Sequence, residues 1–139
     1  MKDSIVIAAL GLSFLAAEAL AQPEIDYGKD QYESNCASCH GLTGKGDGPL
    51  SHIFRPKATD LTTLAKRNDG VFPAQLVYEI IDGRKEVEAH GPRAMPVWGR
   101  DYLRDVPDLY QLEISDFRGA IANAKIVALV DYLHRIQEN

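Results

Sequence analysis

The sequence has no excess of basic residues. It also has no internal repeat and no alternation of apolar and polar residues typical of strands. Fifteen lysines and arginines face twenty aspartates and glutamates, which gives a formal net charge of −5. This mildly acidic balance argues against nucleic acid or an anionic lipid surface as a partner. Because no stretch alternates apolar and polar residues as a strand would, we predict an all-α fold of three to five helices joined by long loops.

Long apolar runs are also scarce, with one exception at the N-terminus. Residues 5–17 form an apolar run that is too short for a stable membrane anchor. It follows Lys2 and precedes Ala19-Leu20-Ala21, the small-x-small pattern of a signal-peptidase site. We expect residues 1–21 to be a cleaved signal peptide, with an uncleaved anchor as the alternative, and residues 22–139 to form one domain. No other stretch is apolar enough to cross a membrane, so we expect no membrane span after processing.

Cysteine is rare, and both cysteines lie in one short segment, NCASCHG at residues 35–41. Three chemistries use two thiols and an imidazole in this way: a disulfide or dithiol switch, a zinc site, and covalent haem attachment. A disulfide across two intervening residues would close a very small loop and gain little entropy. A dithiol switch would follow a buried strand, whereas the preceding segment is polar and helical. Zinc needs four ligands, and no second cluster completes the set.

The spacing within this segment favours haem. Cys36 and Cys39 suit the two vinyl groups on one edge of a porphyrin, and His40 then reaches the iron from one face. Adjacent cysteine and histidine are awkward ligands for one zinc tetrahedron, but covalent haem attachment requires them. We therefore predict one covalently attached haem c with His40 as an iron ligand. The haem would also supply the core that a short chain with long loops otherwise lacks.

Methionine is scarce enough to narrow the search for a second iron ligand. If Met1 leaves with the signal peptide, Met95 is the only thioether left, and Pro96 stiffens the backbone behind it. A soft sulfur ligand suits a cytochrome of raised potential. His90 is the main rival ligand, and ordinary loop packing of Met95 is the other alternative.

Apolar periodicity and capping residues predict four helical segments separated by loops. Pro107 interrupts residues 100–114, which we predict to be an irregular excursion with one helical turn. The four predicted helices cover residues 28–35, about 60–67, 73–82 and 115–137.

In their order, these motifs resemble the class I c-type cytochromes over nearly the whole processed chain. The segment GKDQYESNCASCHG matches the family's first helix and haem attachment, with Gly28 and Tyr32 as its glycine–aromatic pair. Tyr132 matches the aromatic residue of the C-terminal helix that crosses the first. The resemblance implies the cytochrome c fold, with the helices and loops wrapped around the haem.

Two loops extend the resemblance toward the iron. In GDGPL, it implies that the carbonyl of Pro49 accepts a hydrogen bond from Nδ1 of His40. In AMPVWG, it implies Met95 as the distal ligand, and Trp98 is expected to pack at the haem edge. Residues 100–119 are longer than a minimal member needs and are a candidate docking surface.

The predicted ligand pair indicates an electron-transfer protein rather than an enzyme, because both axial positions of the iron are filled. We expect a periplasmic monohaem carrier that passes single electrons between redox partner proteins, a membrane complex or a periplasmic oxidoreductase. One alternative is a dedicated haem subunit of a periplasmic dehydrogenase complex. Another is a ligand-binding or peroxidase-like haem protein, which would require Met95 to dissociate.

Overall fold

A computed structural model describes residues 25–53, 57–85, 95–104 and 115–138, and these ranges contain five α-helices and no strand. The all-α prediction is confirmed. The predicted signal peptide lies outside the described residues, and the division into residues 1–21 and 22–139 stays a prediction. The helices are α1 (Tyr27–Asn35), α2 (Ala37–His40), α3 (Ala74–Asp82), α4 (Trp98–Arg104) and α5 (Ser115–Arg135), with short 3₁₀ turns at Ser51–Ile53 and Lys66–Asn68.

Helices α1 and α5 cross where a glycine allows the closest approach. A Cβ atom on Gly28 would lie 2.2 Å from the carbonyl oxygen of Ala128 and 2.8 Å from Cβ of Tyr132. One turn along α1, the ring of Tyr32 packs on that of Tyr132 with centroids 5.1 Å apart. The Tyr32 hydroxyl donates a 2.6 Å hydrogen bond to the carbonyl of Gly41. The predicted glycine–aromatic pair is thus confirmed at this crossing.

An ion pair joins the start of α1 to the end of α5. Two guanidinium nitrogens of Arg135 each lie 2.8 Å from a carboxylate oxygen of Asp26. Asp26 also caps α1 by accepting a hydrogen bond from the amide of Lys29. The hydrogen bond from Arg135 lowers the pKa of Asp26 from 3.8 to about 2. Its contribution to stability is therefore fully present above pH 3.8 and is lost as the pH falls toward 2.

Helices α3 and α4 complete the core by packing on α5 and on each other. Gly99 of α4 lies against the end of α3, where a Cβ atom would be 2.4 Å from Oδ1 of Asp82. Ile126 and Leu129 of α5 are among the most deeply buried side chains. The other buried apolar side chains of these three helices are Val77, Ile81, Tyr102, Ala122, Tyr132 and Leu133.

Two local predictions are wrong. Seven residues from Trp98 form α4, where we had expected a loop and then one helical turn; residues 105–114 lie outside the described residues. The predicted helix over residues 60–67 is a series of turns ending in the 3₁₀ turn. The Asp60 carboxylate accepts hydrogen bonds from both the amide and the hydroxyl of Thr62, as an N-cap residue would, but turns rather than an α-helix follow it.

We expect Gly28→Ala to destabilise the haem-loaded protein by about 1–3 kcal/mol, because the added methyl group would overpack the helix crossing. Denaturant unfolding measures the effect. Gly119→Ala is the matched control, since among the described residues no group outside its own helix backbone lies within 4 Å of a Cβ added there. Alanine at that exposed helical position should leave stability unchanged or raise it by up to about 1 kcal/mol. Equal losses in the two variants would contradict this account of the crossing.

Candidate haem-binding site

The haem-attachment segment forms a short helix whose C-terminal carbonyls are covered by the loop that follows. Cys36 joins α1 to α2, and its amide donates to the carbonyl of Tyr32 at 2.8 Å. A Cβ atom on Gly48 would lie 2.5 Å from the carbonyl oxygen of Ser38, so only glycine allows the loop this close. The loop amides of Gly41, Gly46, Gly48 and Leu50 donate to the carbonyls of Ala37, His40, Cys39 and Ser38, respectively.

His40 ends α2 with its imidazole buried, at 8% exposure. Its Nδ1 lies 2.8 Å from the carbonyl oxygen of Thr59. Because a carbonyl can only accept, Nδ1 carries the proton, and Nε2 is the nitrogen that presents a lone pair to a metal.

The family resemblance implied that the carbonyl of Pro49 accepts this hydrogen bond, and that prediction is wrong in this structure. Pro49 is exposed, and the neighbouring amide of Leu50 is bonded to the carbonyl of Ser38, which holds this part of the loop against α2. The backbone carbonyl of Thr59 accepts the hydrogen bond from the imidazole instead. A contact between Pro49 and the haem stays a prediction.

Cys36, His40 and Met95 line one cavity of about 280 Å³. Cys36 and His40 belong to the attachment segment, whereas Met95 comes from the stretch just before α4. The chain thus brings together three of the predicted site residues. Most of the remaining wall is apolar and comes from α3, α5 and the segment between residues 59 and 67: Leu61, Leu64, Val77, Ile80, Ile81 and Leu133.

Burial changes the acidity of the Cys36 thiol. Its apolar surroundings, with a smaller effect from Cys39, raise the pKa of the Cys36 thiol to about 12. The site therefore favours the neutral thiol over the thiolate.

Besides Pro49, two predicted residues lie outside the described lining of the cavity, Cys39 and Trp98. Cys39 is half-buried, and its sulfur lies 3.9 Å from the hydroxyl of Ser38. Trp98 begins α4, where its ring centroid is 6.0 Å from that of Tyr102. Attachment through Cys39 and packing of Trp98 at the haem edge stay predictions.

Arg67 is a site residue that the sequence analysis missed. It lines the cavity, and its guanidinium donates to the carbonyls of Asp60 at 2.6 Å and Thr63 at 3.3 Å. Haem has an apolar macrocycle and two carboxylate side chains, so an apolar wall with one guanidinium suits it. No local motif distinguishes Arg67 from the other arginines of the sequence.

These residues fit a covalently bound haem. The cavity offers a neutral sulfur for attachment, an imidazole in a fixed tautomer, a thioether and a mostly apolar wall. The fold and the site together define a haem c protein.

Comparison with protein families agrees with this class. Residues 23–107, more than half of the chain, match the family described as cytochrome c oxidase, cbb3-type, subunit III. The chain belongs to this family, and it is a class I c-type cytochrome with covalently bound haem c and its iron. No curated protein and no solved structure matches the chain.

As a member of this family, the protein takes part in electron transfer with redox partners. The predicted family and the predicted cofactor are confirmed. Within the ranges that the structure describes, no helix is both long enough and apolar enough to span a bilayer.

Proposed function

We propose that the protein is a periplasmic monohaem electron carrier whose iron is held between Nε2 of His40 and the sulfur of Met95. One observation carries the proposal: the two side chains, far apart in sequence, line the same apolar cavity. Haem supplies the one-electron chemistry when it is bound there. The protein's part is to hold the two ligands and to keep the surroundings dry.

The ligand pair argues for transfer rather than catalysis. His40 is held by the carbonyl of Thr59, which fixes the tautomer and strengthens the imidazole as a donor. Met95 adds a thioether, which favours the reduced state and raises the reduction potential. If both side chains held the iron, no coordination position would be left for a substrate.

The proposed location follows from the N-terminal sequence. Residues 1–21 have the composition of a signal peptide, and export would carry the chain to the periplasm. The redox partners there would be a membrane complex or a periplasmic oxidoreductase.

A second candidate function is that of a haem subunit in an oxidoreductase complex, either a dehydrogenase or an oxidase. The matched family is described as an oxidase subunit, which favours this candidate. Arg118 donates a 2.8 Å hydrogen bond to the carbonyl of Leu103, so the two ends of the 100–119 excursion lie together. Leu103 and Phe117 are exposed there, at 38% and 49%. An apolar surface of this kind suits a stable partner.

Purification of the tagged protein from its native cells separates the two candidates. A carrier should elute alone, whereas a subunit should retain its partner through a salt wash. Leu103→Ser with Phe117→Ser should release that partner, and Val127→Ser, at a position of α5 that is 56% exposed, is the control.

Covalent attachment of the haem is directly testable. Expressed with haem-maturation machinery, the protein should stay red after acid–acetone extraction, because thioether bonds do not release haem. Cys36→Ala and Cys39→Ala should each keep one bond and therefore part of the colour. Complete extraction from the unchanged protein, or zinc in place of iron, would contradict the proposal.

Carbon monoxide distinguishes a carrier from a ligand-binding haem protein. We expect the spectrum of the ferrous protein to stay unchanged when the gas is added at neutral pH, because Met95 occupies the position that the gas would need. A shifted Soret band in the unchanged protein would instead favour the ligand-binding or peroxidase-like alternative.

A further inference from the structure

The side chain of Gln137, two residues beyond α5, is hydrogen-bonded to three backbone groups. Its Oε1 accepts from the amide of Ala65 at 2.9 Å. Its Nε2 donates to the carbonyl of Leu61 at 2.8 Å and to that of Leu133 at 2.6 Å. One partly buried amide thus ties the end of α5 to two points of the segment between residues 59 and 67.

That segment, which we call the wall segment, forms part of the haem cavity. It supplies the Thr59 carbonyl to His40 and places Leu61, Leu64 and Arg67 in the cavity wall. Turns and a 3₁₀ turn form it, so it lacks the continuous hydrogen-bond ladder that would make an α-helix rigid. Its position therefore depends on contacts from outside.

The side chain of Gln137 makes two of the hydrogen bonds that hold the wall segment. Hydrogen bonds between backbone groups also hold this segment. The amide of Glu138 donates to the carbonyl of Thr62 at 2.8 Å, and the amide of Leu61 donates to that of Gly44 at 2.7 Å. Only the Gln137 side chain, among these contacts, can be removed by substitution without altering the backbone.

We propose that Gln137 is a positioning residue for the iron ligand His40. By fixing Leu61 and Ala65, it holds the wall segment so that the Thr59 carbonyl, two residues before Leu61, stays on Nδ1 of His40. That hydrogen bond sets the donor strength of the imidazole. The C-terminal Gln137 thereby acts on His40 from outside the described lining of the cavity. This inference rests on the proposed role of His40.

Hydrogen exchange of the His40 ring proton on Nδ1, followed by NMR in the ferrous haem-loaded protein, tests the inference. Gln137→Ala should speed that exchange at least tenfold, because the wall segment opens more often. Gln137→Met keeps the length of the side chain without its hydrogen bonds and should have the same effect. Gln75→Ala, on the exposed face of α3, and Asn123→Ala, which loses a bond between α3 and α5, should leave the exchange unchanged.

A merely structural role for Gln137 predicts a different pattern. The ring proton and the amide of Leu129 in the helix core would then exchange faster by the same factor, and this result would overturn the inference. An unchanged ring proton in Gln137→Met would also overturn it, since packing alone would then suffice. Ligation by His40 is read separately, from the low-spin spectrum of the unchanged protein. The low-spin spectrum thus tests the carrier proposal, and the exchange of the ring proton tests the proposed role of Gln137 independently.

Discussion

Met95→Ala is expected to lower the reduction potential by on the order of 100 mV or more, because axial ligands set haem potentials over a range of about 0.8 V. The substitution removes the one thioether that lines the described cavity. The oxidised protein should lose the weak near-red absorption band that sulfur on ferric iron produces, and the reduced protein should bind carbon monoxide. Redox titration and absorption spectra measure all three effects.

Two further variants make this result specific. Met95→His should give a six-coordinate haem of low potential, because an imidazole replaces the thioether. His90→Ala should leave the near-red band intact; His90 lies outside the described residues. If His90→Ala destroys the low-spin spectrum while Met95→Ala does not, the axial pair is His40 with His90, and the high-potential carrier proposal fails.

The double variant Cys36→Ser with Cys39→Ser is expected to have no cooperative unfolding transition. Without attached haem, the apolar walls contributed by α3, α5 and the wall segment would face an empty cavity. Domains are stable by only about 5–15 kcal/mol, and the loss of a tightly bound group that fills the core removes a contribution of this size.

Far-UV circular dichroism during heating measures the effect, and Ser38→Ala is the matched control. Ser38 lies between the two cysteines and is exposed, so its removal keeps both attachment points. That variant should load haem and melt cooperatively. A compact double variant with a sharp transition would show that the polypeptide core suffices without haem.

The sequence alone determined the chemistry of attachment and the helix crossing. Cys36, Cys39 and His40 are neighbours in the chain, so their spacing is the geometry that haem attachment needs. Gly28 and Tyr32 are one helical turn apart, which places them on one face of α1 before any tertiary contact forms. Met95 could be singled out as a candidate ligand because it is the only methionine outside the predicted signal peptide.

Only the tertiary structure decided which groups surround the imidazole. The acceptor for His40 is a backbone carbonyl, that of Thr59, and every residue carries such a group. Arg67 lines a cavity whose other walls come from distant segments, and Gln137 is hydrogen-bonded across the fold to Leu61, so no local spacing marks either residue. Helix α4 starts earlier and is longer than the one helical turn that we predicted, because its packing against α3 and α5 stabilises it more than its own short sequence does. Local patterns specify covalent chemistry and helix faces, whereas long-range packing selects the partners of each buried polar group.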